Sequence, residues 1–244
     1  VKAAPEAQRR LLDLQAVDTA LAQLAHRRKS LPELAQIDAV AREVSALEDD
    51  RVRAQVAVDD LDRDISRLEK DIDQVRLRKD RDKKRLDAGG ALREIEGLQH
   101  ELTSLNRRQS ELEDAELELM EQRETAEATL TEVQARISAA IGRRTEAERR
   151  RDETFAEITK EQEFKTAARV PLAADLPADL VTLYDKIRTE SGLGAALVYA
   201  GRCGGCRIEL YGADLNRVKT APADDVVRCE ECRRIMVRTA ESGL

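Results

Sequence analysis

The chain of 244 residues has no tryptophan, only two phenylalanines and three tyrosines, and two histidines. Aromatic residues make up 2 % of it, against 37 % charged residues. A globular domain of this length normally fills its centre with rings, so a thick core is excluded and a thin apolar seam is expected. Nowhere do about 18 apolar residues run together, which excludes a membrane-spanning helix. Val1 to Arg10 is charged and lacks the apolar centre of a signal peptide, so a cytoplasmic location is expected. The net charge of −7 excludes a whole-molecule electrostatic grip on nucleic acid and leaves local basic patches as the only route to phosphate. His26 and His100 have no nucleophile, carboxylate or metal pattern around them, and there is no phosphate-binding loop. The chain is therefore expected not to be an enzyme, and no small-molecule substrate is evident.

What the sequence does have is a long seven-residue repeat. A first helix from about Pro5 to Lys29 is followed by Ser30, Pro32 and Glu33, a capping-box pattern that predicts a bend and a new helix start. From there one series runs Ile37, Val44, Arg51, Val58, Ile65, Ile72, Lys79, Leu86, and its companion runs Val40, Leu47, Ala54, Leu61, Leu68, Val75, Asp82. Twelve of these fifteen positions are apolar, and a repeat held this long keeps one stripe against a partner helix. At ~1.5 Å per residue the segment would extend roughly 80 Å. Gly89-Gly90 breaks it, and a third helix from about Leu92 to Glu163 carries Leu98, Leu105, Leu112, Leu119, Ala126, Val133, Ala140 and Ala147 at the same spacing. Its companion series turns polar at Gln109, Glu116 and Arg123. Two heptad helices around a Gly-Gly break predict an antiparallel hairpin. The helical pattern ends near Phe164, and Val170-Pro171 and Leu176-Pro177 disfavour its continuation. A short helix is expected from about Ala178 to Thr189. The predicted organisation is a helical hairpin over 1–170, turning near 87–91, and a short helix with a small β domain over 171–244.

The β domain carries the chemistry. Cys203-Gly-Gly-Cys206 and Cys229-Glu-Glu-Cys232 stand twenty-two residues apart, flanked by candidate strands at Leu197–Gly201, Arg207–Leu210, Val226–Arg228 and Ile235–Arg238. Each Cys-x-x-Cys turn brings two thiolates to one ion, and two such turns complete a tetrahedron. A thioredoxin-like redox pair would need a βαβ pattern that is missing, and a rubredoxin-like iron site would want an aromatic core. One Zn2+ held by Cys203, Cys206, Cys229 and Cys232 is the expectation. Four thiolates leave no open position for water, so its role is structural. About 10–16 kcal/mol of metal binding would offset the thin core.

Two regions are candidates for partner binding. The segment Arg76 to Arg85 holds Arg76, Arg78, Lys79, Arg81, Lys83, Lys84 and Arg85 against two aspartates, with Arg93 and Glu94 beyond the turn. It reads either as a phosphate-contacting tip or as a tip paired with its own acids, with Lys83 near Glu94 and Arg76 near Glu101. In the β domain, Arg202, Arg207, Arg233 and Arg234 are candidate nucleic-acid contacts. Tyr199 and Tyr211 either stack on bases or, more commonly for such rings, fill the small core.

Three stretches resemble a known family: Arg93-Glu-Ile-Glu-Gly-Leu-Gln-His-Glu101 after the turn, Leu183-Tyr-Asp-Lys-Ile-Arg188 before the cysteines, and the cysteine block with Arg234-Ile235-Met236. They are similar to bacterial C4-type zinc-ribbon proteins with an N-terminal coiled-coil hairpin. This chain departs from the family where a glycine after the last cysteine is Arg233 and where a tip tyrosine is Ile95. The resemblance implies a mainly α fold with a small β zinc ribbon, and a regulator or adaptor that binds nucleic acid, protein or both. A second reading, by analogy with factors that join a coiled-coil hairpin to a globular end, is a transcription factor acting on RNA polymerase through the hairpin, with Asp80, Asp82 and Asp87 as tip acids; the neighbouring Arg and Lys residues count against that analogy.

Overall fold

The computed structural model describes residues 1–243 and divides into two compact units. One consists of residues 35–148, the other of 1–34 together with 149–244. Helices α2 (Pro32–Asp87) and α3 (Leu92–Ala174) contribute to both.

The 35–148 unit is the hairpin. All fifteen heptad positions named for α2 are buried or half-buried, so the repeat is the seam. Val40, Leu47, Val133, Ile137 and Ala140 form one continuous apolar cluster with Val44 against it. Fully burying such a side chain is worth roughly 1.5–3 kcal/mol, whereas an exposed ion pair is worth ~0.2–1 kcal/mol. The apolar seam therefore holds the hairpin, and the many surface pairs trim it. Where the repeat turns polar, the side chains find partners across or along the seam. Lys79 donates to the Gln109 side chain at 2.6 Å, and Arg123 pairs with Asp62 and with Glu127. Asp82 is the exception: it is buried, and its Oδ2 has no hydrogen-bond partner among the described residues. The turn forms as predicted, with Gly89 in the left-handed region at φ 77°. Arg78 pairs with Glu101 and Arg85 with Glu94, each two residues nearer the turn than the fold-back expectation, and Arg76 reaches Glu113 instead.

The other unit contains α1 (Pro5–Lys29), α4 (Ala178–Ser191), β1 (Ala195–Tyr199), β2 (Arg202–Cys203), α5 (Gly212–Thr220), β3 (Val227–Arg228) and β4 (Ile235–Val237). The sheet order is β2-β1-β4-β3, with β1 parallel to β4 and the other pairs antiparallel. Leu11 and Leu14 of α1, Leu180, Tyr184 and Ile187 of α4, and Ile235 and Val237 of β4 make one core. On the other side of the sheet, Val198, Leu210, Val218, Val227 and Met236 surround Cys203 and Cys229.

Several expectations are corrected here. The boundary at 170/171 does not separate the compact units, because α1 packs on α4 and the sheet rather than belonging to the hairpin. Helix α3 continues through Pro171 to Ala174. Proline that close to the helix end removes one backbone bond, and Leu172 and Ala173 pack against the core in return. Ser30 does not start α2; its hydroxyl donates to the His26 carbonyl and closes α1. The expected strand at Arg207–Leu210 shrinks to an isolated bridge between Arg202 and Glu209, and the expected β domain also contains the helix α5.

A buried polar network ties α1 to α4 and β1. The Gln15 side-chain oxygen accepts from the backbone N–H of Gly194 at 2.7 Å and of Ala195 at 3.2 Å. The Tyr184 hydroxyl donates to Asp18 at 2.8 Å, and Arg169 donates to both Asp18 and Asp185. Tyr184 is fully buried, and burial beside Asp18 pushes its ionisation far upward. Gly194 is required there, since an added Cβ would lie 2.5 Å from the Tyr184 ring.

Candidate metal centre and the surfaces around it

The two Cys-x-x-Cys turns are built alike. In the first, the Cys203 sulfur receives backbone N–H groups from Gly205 and Cys206; in the second, Cys229 receives those of Glu231 and Cys232. Each turn then closes with the same pair of backbone bonds. Arg207 N–H donates to Cys203 O at 2.7 Å, and Arg233 N–H to Cys229 O at 2.9 Å. Cys203 N–H donates to Ile208 O, and Cys229 N–H to Arg234 O, both at 3.0 Å. Gly204 fits because its backbone lies against Leu197, where a Cβ would come within 2.5 Å of the carbonyl oxygen.

The four sulfurs lie within 4.8 Å of one another, with Cys203 to Cys232 at 3.7 Å and Cys206 to Cys229 at 3.9 Å. A tetrahedral ion roughly 2.3 Å from each sulfur would separate the sulfurs by about 3.8 Å. The spacing fits one zinc ion and no disulfide; all four cysteines are free. Burial pushes the Cys203 thiol up to about 12 and raises Cys229 as well. At Cys232 burial acts in the same direction, but the Arg234 N–H and the neighbouring thiols outweigh it and lower its value. A cation supplies what burial removes, since thiolates are the ligating form.

A C4-type zinc ribbon profile matches residues 202–236, and a CT398-like coiled coil hairpin domain profile matches residues 14–192. The chain belongs to the CT398-like family. A protein of Mycobacterium tuberculosis is 39 % identical over 239 residues, covering 98 % of both chains. One from Mycobacterium leprae is 30 % identical over 225 residues, covering 91 % of this chain and 96 % of that one. A solved structure from Mycobacterium smegmatis superposes with a TM-score of 0.88 at 37 % identity, covering 98 % of this chain and all of that one. CT398 from Chlamydia trachomatis shares the fold at a TM-score of 0.70 and 20 % identity, over 96 % of this chain and 98 % of that one.

The CT398-like fold places the candidate residues in different situations. Arg207 and Arg233 occupy the position after the second cysteine of each turn, at φ 63° and 61°. A side chain in the left-handed region costs about 1–2 kcal/mol, a cost that glycine at either position would avoid. Both arginines are exposed; Arg233 pairs with Glu230 at 3.3 Å, while Arg207 has no ion pair among the described residues. Arg234 is not presented outward: its guanidinium donates to the Ser191 carbonyl and its stem covers Gly205.

The two ribbon tyrosines are not core. Tyr199 is 63 % exposed and Tyr211 69 %, and the buried ring is Tyr184 instead. Tyr199 is the cross-strand partner of Arg202, and Arg202 is bridged in turn to Glu209. Residues directly opposed in an antiparallel pair share a face, so these three form an outward row. The Tyr211 hydroxyl hydrogen-bonds to Glu209, which raises its ionisation and extends the row. The commoner expectation for the two tyrosines, a place in the small core, is corrected; Arg202 is exposed as its candidacy required, and Glu209 was not among the candidates.

At the tip, Arg76, Arg78 and Arg85 are engaged by glutamates, and Lys79 is half-buried on Gln109. Arg81, Lys83, Lys84 and Arg93 are exposed without a carboxylate partner among the described residues, and Glu94 is held by Arg85. Of the three acids in the polymerase reading, Asp82 is turned into the seam; Asp80 and Asp87 are not buried. Among the described residues no helix is long and apolar enough to cross a membrane.

Proposed function

We propose that this chain is a non-enzymatic adaptor whose zinc ribbon engages single-stranded nucleic acid while its hairpin engages a second macromolecule. The metal supports a structural role, because four thiolates fill its shell and leave no site for a water or substrate. The observation that carries the nucleic-acid reading is the exposed Tyr199–Arg202–Glu209–Tyr211 row, with Arg207 nearby in sequence. Of the five aromatic rings three are exposed, Phe164 on α3 and the two ribbon tyrosines, and only the ribbon pair belongs to a row that carries Arg202. Base stacking on such rings is worth ~1–3 kcal/mol per base and tolerates any sequence, while arginines meet the phosphates.

The test is fluorescence anisotropy of labelled single-stranded RNA and DNA on the zinc-loaded full chain at low salt. Tyr199→Ala and Tyr211→Ala should each weaken binding by roughly fivefold or more. Arg207→Ala should flatten the salt dependence. No retention of either nucleic acid at low salt, with zinc confirmed in place, contradicts the reading.

A further inference from the structure

We infer that the hairpin carries a docking groove for an acidic amphipathic helix of a protein partner. The inference rests on the adaptor reading and names the class of partner that the hairpin would carry. A groove of about 590 Å³ runs along one flank of α2 and α3. Its aliphatic lining comes from Val75 and Leu77 on α2 and from Leu105 and Leu112 on α3; Arg78 and Arg81 line it from α2 and Arg108 from α3.

Three observations single it out. Leu77 belongs to neither seam series and is 63 % exposed, so the hairpin does not use its apolar surface. Two of the three guanidinium groups have capacity to spare: among the described residues Arg81 makes only a 3.4 Å bond from Nε to the Leu77 carbonyl, and Arg108 reaches Glu111 at 4.0 Å. The lining holds three arginines against Asp71 as its single acid; Arg78 is taken by Glu101, which leaves Arg81 and Arg108 as the charges on offer.

These features select the occupant. A third helix laid beside two others buries side chains at i, i+3, i+4 and i+7, and its flanks meet the neighbouring helices at charged positions. Leucines along its base would cover Leu77 and Leu105, and glutamates or aspartates on both flanks would meet Arg81 and Arg108. Nucleic acid fits less well. The lining holds no ring for a base to stack on, and aliphatic surface is stabilised by apolar contact.

The test uses the full zinc-loaded chain and a display library of 20-residue helices with leucine at i, i+3, i+4 and i+7. Flanking positions are drawn at random from Asp, Glu, Lys and Arg. Selected peptides are then measured by anisotropy against wild type, Leu77→Glu and the pair R81E/R108E, with circular dichroism confirming retained helix. The proposal expects recovered peptides to be acidic on both flanks. It expects at least tenfold weaker binding to Leu77→Glu and to R81E/R108E, and a switch by R81E/R108E to basic-flanked peptides. Single-stranded RNA binding by the same variants should stay within twofold of wild type, which separates this groove from the ribbon. No enrichment, enrichment without acidic bias, or binding that both variants leave intact overturns it. So does loss of RNA binding in R81E/R108E, which would assign the groove to nucleic acid.

Discussion

Replacing Asp82 by leucine should make the hairpin more stable. Asp82 holds a heptad position at 6 % exposure, flanked along the seam by Val75 and Leu86, and its Oδ2 has no hydrogen-bond partner among the described residues. A buried polar atom left unsatisfied costs ~1–3 kcal/mol, and more if charged. Leucine removes that cost and adds apolar burial of roughly 1.5–3 kcal/mol, less some strain from its different shape. A gain of about 2–4 kcal/mol is the reasonable sum. Asp82→Asn removes the charge but leaves a polar amide in the seam, so it should recover at most ~1 kcal/mol of this. The assay is urea unfolding followed by circular dichroism, with amide hydrogen exchange at the tip identifying where protection rises. An unchanged slope with a higher midpoint marks a native-state effect. An Asp82→Leu variant that unfolds at lower urea than wild type would refute the assignment of Asp82 to the seam.

Three other perturbations follow from the second unit, and one from the hairpin. Asp18→Ala strands the partly exposed guanidinium groups of Arg169 and Arg188 beside a buried gap, and should cost about 2–3 kcal/mol by thermal melting. Tyr184→Phe loses only the hydroxyl bonds to Asp18 and Gln15, so about 1 kcal/mol is expected, and the two effects should be non-additive in a double-mutant cycle. Gly194→Ala drives a methyl into the Tyr184 ring and should destabilise by roughly 1–3 kcal/mol. Gly97→Ala, inside α3 with nothing within 4 Å of the added carbon, should instead stabilise by ~0.5–1 kcal/mol in the same melt.

The hairpin and the metal ligands were legible because each is written in a strict local code. A seven-residue repeat fixes which face of a helix is apolar, and two Cys-x-x-Cys turns fix four ligands; neither needs knowledge of the rest of the chain. What escaped depends on distant packing. Helix α5 has only Leu215 and Val218 as inward anchors, too few for a periodic signal. The role of Ser30 turned on whether its hydroxyl faced backward to His26 or forward to Glu33, and the local motif fits both. Pro171 reads as a helix stop until the core that accepts Leu172 and Ala173 is known. Tyr184, Tyr199 and Tyr211 could not be sorted by type, because their burial follows from place: Tyr184 packs inside the core against Gly194, while Tyr199 ends β1 and Tyr211 precedes α5 on the surface. One signal was available and unused: the residue after each Cys-x-x-Cys sits where the turn demands positive φ, which marks Arg207 and Arg233 as a matched pair.

The ribbon's dependence on its ion is tested most directly by the metal content of the purified chain, read by elemental analysis before and after a strong chelator. The account predicts one zinc per chain, absent from the Cys203→Ser and Cys229→Ser double variant. Chelation should abolish protection of the β1 and β4 amides while leaving the 35–148 hairpin helical. A chain purified without metal whose β1–β4 ladder is nevertheless protected would contradict it.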